Sequence, residues 1–129
     1  MEGVNTQETE EYYSDIVRHI DENLDPTIPL HTFHLACALY CTPNKTDKHR
    51  CELLGIQLVK EVKDKFEYHV LLGKIRFKRE EYMSAIATFE GARMKFPDRD
   101  AANFAYVIGM GQEQLGWEAE SIESFELST

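Results

Sequence analysis

His34, Cys37 and Cys41 fall at i, i+3 and i+7, a spacing that lines three soft ligands along one face of a helix. A tetrahedral zinc site needs a fourth ligand, and the sequence offers Cys51 or His31 for it. Cysteine also serves as a small core residue, so these positions are read as packing, with no metal and no cofactor. Glu67 and His69, beside Tyr68, can be drawn as an acid–base pair, but residues two apart on a helix do not face each other. No P-loop, Gly-x-Ser-x-Gly or dinucleotide fingerprint is present, and Gly109-Met110-Gly111 is a short signal within a helical pattern. The carboxylates are abundant but scattered, as on a solvated face. No catalytic constellation survives, and the chain is expected not to be an enzyme.

The elements that carry these residues belong to a chain of 129 residues, the size of one compact domain. Hydrophobic residues make up 43%, enough to build a core. The formal charge of -9 repels nucleic acid and anionic lipid and steers basic segments toward the chain. A local basic patch at Lys74, Arg76, Lys78 and Arg79 runs against that balance. Three cysteines without disulfide spacing imply reduced thiols and a cytosolic setting. The acidic N-terminus is not a secretory signal, and no apolar run reaches the roughly 20 residues of a membrane span.

Helical spacing governs the whole chain. Met1 to Glu10 reads as a disordered acidic lead-in, followed by a helix from Glu11 to Leu24 that stops at Asp25-Pro26. A second helix is predicted from Leu30 to Cys41 and a third, capped by Thr46 or Asp47, to about Lys63. Apolar residues on several sides of the third (Cys51, Leu53, Leu54, Ile56, Leu58, Val59) predict a helix enclosed by neighbours. Further helices follow at Phe66–Lys78, Tyr82–Phe96, Asp100–Leu115 and Trp117–Leu127.

A repeat underlies this series. Leu72-Gly73, Ala85, Phe89, Ala92 and Pro97 stand at the offsets of a tetratricopeptide unit, two antiparallel helices with a period of about 34 residues. Small residues at Gly73, Ala85 and Ala92 allow close helix crossing, Phe89 fills the layer, and Pro97 ends the unit. His69 stands in place of the usual large apolar residue and Arg76 in place of the aromatic. A second copy, displaced by 36 residues, puts Ile108-Gly109 at the Leu-Gly place, with Ser121 and Phe125 following. A degenerate earlier copy uses Cys51 and Leu58. The fold class expected is all-α: tetratricopeptide-like antiparallel hairpins stacked in a short superhelix, with an extra N-terminal helix. The domain spans residues 11–129, with repeats at about 30–63, 66–99 and 102–129.

The strings TFHLACALYCTPNKTDKHRC and LLGKIRFKREEYMSAIATFEGARMKFPDRDAA resemble the two repeats of the mitochondrial fission 1 protein family. Phe33, Ala36, Leu39 and an Asn-containing loop carry the first match; Gly73, the Lys78–Tyr82 turn, Ala85 and Pro97-Asp98 carry the second. The resemblance implies a six-helix bundle with a concave groove that binds fission adaptors and, through them, a dynamin-type GTPase. It also implies a C-terminal tail in the outer mitochondrial membrane, with the domain on the cytosolic face. The sequence departs from the family at Cys51, usually Gly, and in the acidic, helix-like Trp117–Thr129, where linker and anchor would be expected. Such a tail would have to be a removed C-terminal anchor.

In these repeats the first helix of each pair lines the concave face. The candidate partner-binding residues are Phe33, Ala36 and Tyr40, then Glu67, Val70, Lys74, Phe77 and Lys78, then Asn103, Tyr106, Met110, Glu113 and Gln114. Phe77, Tyr106 and Met110 would anchor apolar side chains of a peptide or helix, and Lys74 and Lys78 would hold a carboxylate. Phe77 and Tyr106 could instead pack against a terminal helix. The function expected is a protein–protein adaptor; the alternative is a soluble tetratricopeptide co-factor or chaperone-like module. Trp117, Ile122 and Phe125, at the end of the repeat series, are expected to pack on the preceding hairpin or to mediate self-association.

Overall fold

The computed structural model describes residues 6–99 and 101–116, and the side chains of residues 11–99 and 107–116. The helices are α1 Thr6–Glu22, α2 Pro29–Cys41, α3 Lys45–Glu61, α4 Phe66–Lys78, α5 Tyr82–Lys95 and α6 Ala101–Gln114, and no strand occurs among the described residues. The expected helix at Trp117–Leu127, with Ser121 and Phe125, lies outside them, as does the edge it would form.

α1 differs most from the sequence reading. It begins at Thr6, inside the stretch read as a disordered lead-in. Glu8 and Glu10 fall in its opening turns. Acidity that suggests a solvated tail also suits a helix start. The cap of α3 differs too. Asn44 accepts hydrogen bonds from the N–H groups of Thr46 (2.7 Å) and Asp47 (3.3 Å), so those two residues are capped and do not cap. Asn ranks with the best N-cap residues, and its position before Lys45 starts the helix two residues before a Thr46 cap would.

The chain divides into two compact units, residues 1–64 and 65–129. The division falls in the charged stretch Lys63-Asp64-Lys65, which has no apolar side chain to bury. In the first unit α1 packs on α2 and α2 on α3. Pro29 occupies the first turn of α2, where its missing N–H costs nothing. Just before it, Thr27 donates from both its backbone N–H and its hydroxyl to Asp25 Oδ1, fixing the turn. Leu35, Ala36, Leu39, Cys51 and Leu58 are fully buried. The Cys51 thiol donates to the Ala36 carbonyl at 3.2 Å, joining α3 to α2. Leu53 is 52% exposed, so α3 is less enclosed than its apolar composition suggests.

In the second unit α5 packs on both α4 and α6. Ala85, Ile86, Phe89, Ala92 and Ile108 form the core, with Phe66, Val70, Phe77, Val107 and Leu115 against it. Burying a side chain of the size of Phe89 is worth about 1.5–3 kcal/mol. The ring lies directly over Gly73: a Cβ there would stand 2.6 Å from Phe89 Cε1. The small residue and the aromatic of the repeat are thus two halves of one contact. Between α4 and α5, the Glu81 N–H reaches the Arg76 carbonyl and the Glu80 N–H reaches that of Phe77. This is the Schellman closure, with Glu80 at φ 64 in the position usually held by glycine. Gly116, at φ 80, fills the corresponding place after α6.

Candidate functional site

On α2, Ala36 is fully buried and drops out as a contact residue, because its small side chain is used where α3 crosses. Phe33 and Tyr40 are half-buried. Burial raises the Tyr40 hydroxyl pKa above its ordinary value, with Cys41 and Cys51 adding to the shift.

On α4, Glu67, Lys74 and Lys78 are exposed, while Val70 and Phe77 are half-buried against the core. Glu67 pairs with Arg99 at 3.3 Å. Its own backbone N–H, and then Arg99, hold its carboxyl below the usual range. The Arg99 guanidinium also lies 4.3 Å from the Phe66 ring centroid. Phe77 meets Tyr82, at the start of α5, edge-on at 5.2 Å and is half-buried against the core.

α6 approaches α4 through a glycine. A Cβ on Gly111 would lie 3.7 Å from Phe77 Cε2 and 2.9 Å from Ile86 Cγ1. Met110, next to it, is half-buried, and Glu113 and Gln114 are exposed. Asn103 and Tyr106 lie on α6, and their side chains are outside the described residues. On α4, half-buried Val70 and Phe77 therefore share a helix with exposed Lys74 and Lys78.

The two departures from the repeat signature create a feature the sequence reading missed. His69 lies edge-on to Phe96 at 5.4 Å, and Arg76 Nη1 donates to Thr88 Oγ1 at 2.8 Å. Thr88 in turn donates to the Ser84 carbonyl at 2.7 Å. Neither side chain fills the α4–α5 seam as a large apolar residue would. A cleft of about 380 Å³ remains, lined by His69, Arg76, Ala87, Thr88, Gly91 and Ala92. The mismatch at two signature positions was the available signal.

A smaller cleft of about 340 Å³ lies between α1 and α2, lined by Ile20, Leu24, Asn23, His19, His31 and His34. His31 Nδ1 accepts the Asp25 N–H at 3.1 Å. Among the described residues no three His, Cys, Asp or Glu side chains are grouped to hold a metal ion. Of the cysteines, Cys51 is core, Cys37 half-buried and Cys41 exposed, so the packing expectation fails for Cys41, at the open end of α2. No helix among the described residues is long and apolar enough to cross a membrane.

No family model matches the sequence, and no curated protein is similar to it. Among solved structures the chain is similar to MamA MSR-1 C2, with a TM-score of 0.73 and 20% identity over 92% of this chain. The match spans 66% of that chain's length. MamA contains tetratricopeptide repeats, and the likeness establishes a tetratricopeptide-like, all-helical fold. None of these comparisons points to mitochondrial fission.

Proposed function

We propose that the chain is a protein-interaction adaptor, which holds an extended peptide or short helix on the α4–α6 face of its second unit. One observation carries this reading. Half-buried Val70 and Phe77 lie on α4 with exposed Lys74 and Lys78, and Phe77 comes near Gly111 of α6. A peptide with apolar anchors and neighbouring carboxylates is complementary to that arrangement. Residues 65–129 carry eight Lys and Arg against eleven Asp and Glu, whereas residues 1–64 carry six against twelve. An acidic partner is therefore less strongly repelled by the second unit than by the first.

The test is a pull-down from cell extract with the intact chain, compared with Lys74→Glu and Lys78→Glu. Both residues are exposed, so the fold should survive and the melting temperature should be unchanged. Loss of the captured partner in both variants, and its release as salt rises, supports the reading. Equal capture by wild type and both variants overturns it.

A narrower reading, the cytosolic domain of an organelle-division receptor that recruits adaptors or a dynamin-type GTPase, rests on the family resemblance. Ala36 and Leu39, two of the residues that carry the resemblance, are buried, and Asn44 caps the helix that follows the loop. Co-sedimentation with a dynamin-type GTPase and its adaptor tests it; no binding would leave the general adaptor reading.

A further inference from the structure

Arg99 folds back onto the start of α4. Pro97 follows α5, and the Arg99 N–H donates to the Phe96 carbonyl at 3.1 Å, which turns the chain. The Arg99 guanidinium then lies 4.3 Å from the centre of the Phe66 ring and 3.3 Å from Glu67 Oε1. Phe96 stands edge-on to Phe66 at 5.6 Å and has Lys95 6.0 Å from its own centre. Two of the chain's own cations thus gather on one pair of rings beside a carboxylate. A flat guanidinium stacked on an aromatic face and held by a carboxylate is a recognition geometry for arginine. The Glu67 and Arg99 side chains are 49% and 54% exposed, so the pair is weak and readily exchanged.

We propose that Phe66 and Glu67 form a binding site for an arginine side chain of a partner protein, a place that Arg99 fills while no partner is bound. The rest of α4 selects such a partner. Glu67, Lys74 and Lys78 stand at i, i+7 and i+11, which puts them on one stripe of the helix, and all three are exposed. The stripe is acidic toward the N-terminal end of α4 and basic toward its C-terminal end. A segment lying along it is matched when it offers an arginine to Glu67 and a carboxylate to a lysine. The lysines stand about 10.5 and 16.5 Å from Glu67 along the axis, so an extended segment would space its two charges by about three to five residues.

This deepens the adaptor reading and rests on it for the partner being a protein. The formal charge of -9 draws basic segments toward the chain. Arginine suits the site better than lysine, because a compact ammonium cannot lie flat on the Phe66 ring and reach the Glu67 carboxylate with a rigid fork. Arg99 belongs to the same chain and therefore acts as a built-in competitor. A partner's arginine must displace it, and the apparent affinity falls with the fraction of time that Arg99 fills the site.

Titration of the intact chain with N-acetyl-argininamide, from about 1 to 100 mM at constant ionic strength, tests the site in the range expected of a single side chain. The backbone amide shifts of Phe66 and Glu67, followed by NMR, give the dissociation constant. Arg99→Gln should lower it about fivefold, the order of one exposed ion pair with a ring contact. Glu67→Gln added to that chain should raise it again by about fivefold or more. N-acetyl-lysinamide should bind at least about threefold more weakly than the arginine probe. An Arg99→Gln chain that binds argininamide no tighter than wild type, whether or not it melts earlier, makes Arg99 a structural strap and overturns the inference. So does binding indifferent to Glu67→Gln, or equal binding of the two probes. Lys74→Glu and Lys78→Glu should leave argininamide binding undiminished, so failure here is separate from failure of the adaptor test.

Discussion

Alanine in place of glycine should have opposite effects at two positions of the same hairpin. At Gly73 the new methyl would fall 2.6, 2.7 and 2.9 Å from three ring carbons of Phe89. Carbon atoms in ordinary contact stand about 3.5–4.0 Å apart, so the overlap approaches 1 Å. Phe89 is 2% exposed and backed by Ala85, Ile86, Ala92 and Ile108, which leaves the ring no direction in which to retreat. Overpacking of this kind costs about 1–3 kcal/mol, offset by about 1 kcal/mol of improved helix propensity. Gly73→Ala should therefore lose about 1–2 kcal/mol, whereas Gly91→Ala, entering open space, should gain about 0.5–1 kcal/mol. Urea denaturation reads both: the midpoint should fall by about 0.5–1 M for Gly73→Ala and rise for Gly91→Ala, with slopes unchanged. Adding Phe89→Leu should relieve part of the Gly73→Ala penalty, giving a coupling above about 0.5 kcal/mol in a double-mutant cycle. A Gly73→Ala chain as stable as wild type, or a cycle with no coupling, would refute the paired-contact account of the repeat.

Three further outcomes follow from named contacts. Asn44→Ala should cost about 1 kcal/mol by uncapping α3, measured by thermal or chemical melts, whereas Thr46→Ala should cost distinctly less. Arg50 grips Asp21 with two hydrogen bonds, at 2.8 and 2.9 Å, and lowers the Asp21 pKa. That stabilisation is present above the unfolded carboxylate value of about 3.9 and is lost as pH falls through the lower folded value. Arg50→Ala should remove it, at under about 1 kcal/mol because the pair is well exposed, and the difference from wild type should shrink in salt and in acid. Burial raises the hydroxyl pKa of Tyr40 and Tyr68, so tyrosinate absorbance should show two groups titrating above about 10. Stability should decline as pH climbs from about 10 through those raised values, since the folded state holds its protons longer.

Much of this architecture was legible because the helices are bounded by local chemistry. Phe66–Lys78 was read with both ends correct, and Gly73, Ala85, Phe89 and Ala92 take the buried places the repeat assigns to them. Position along a helix fixes which residues share a face, and that is enough to find the core. The sequence is less informative where competing residues stand side by side. Asn44, Thr46 and Asp47 are all capping types, and the geometry of one turn decides among them. Acidic composition did not distinguish a solvated tail from a helix beginning at Thr6. At the candidate site, Ala36 was read as a contact residue because its helix face was right, but its small size reserves it for the α2–α3 crossing. Half-burial of Phe77 was not legible, because it depends on Gly111, 34 residues away in the chain. The α4–α5 cleft arises from His69 and Arg76 being the wrong shape for the seam, a consequence visible once their actual partners are known.

The separation of the chain at Asp64 into units built from consecutive hairpins also bears on the speed of folding. Each helix pairs with its immediate neighbour, so native contacts form across short loops and little chain entropy is lost before they stabilise the structure. Collapse of either unit should fall in the microsecond-to-millisecond range typical of such local topologies. During synthesis, residues 1–64 can close their own hairpins while the remainder is still being translated, limiting the time for which nascent apolar surface is open to aggregation.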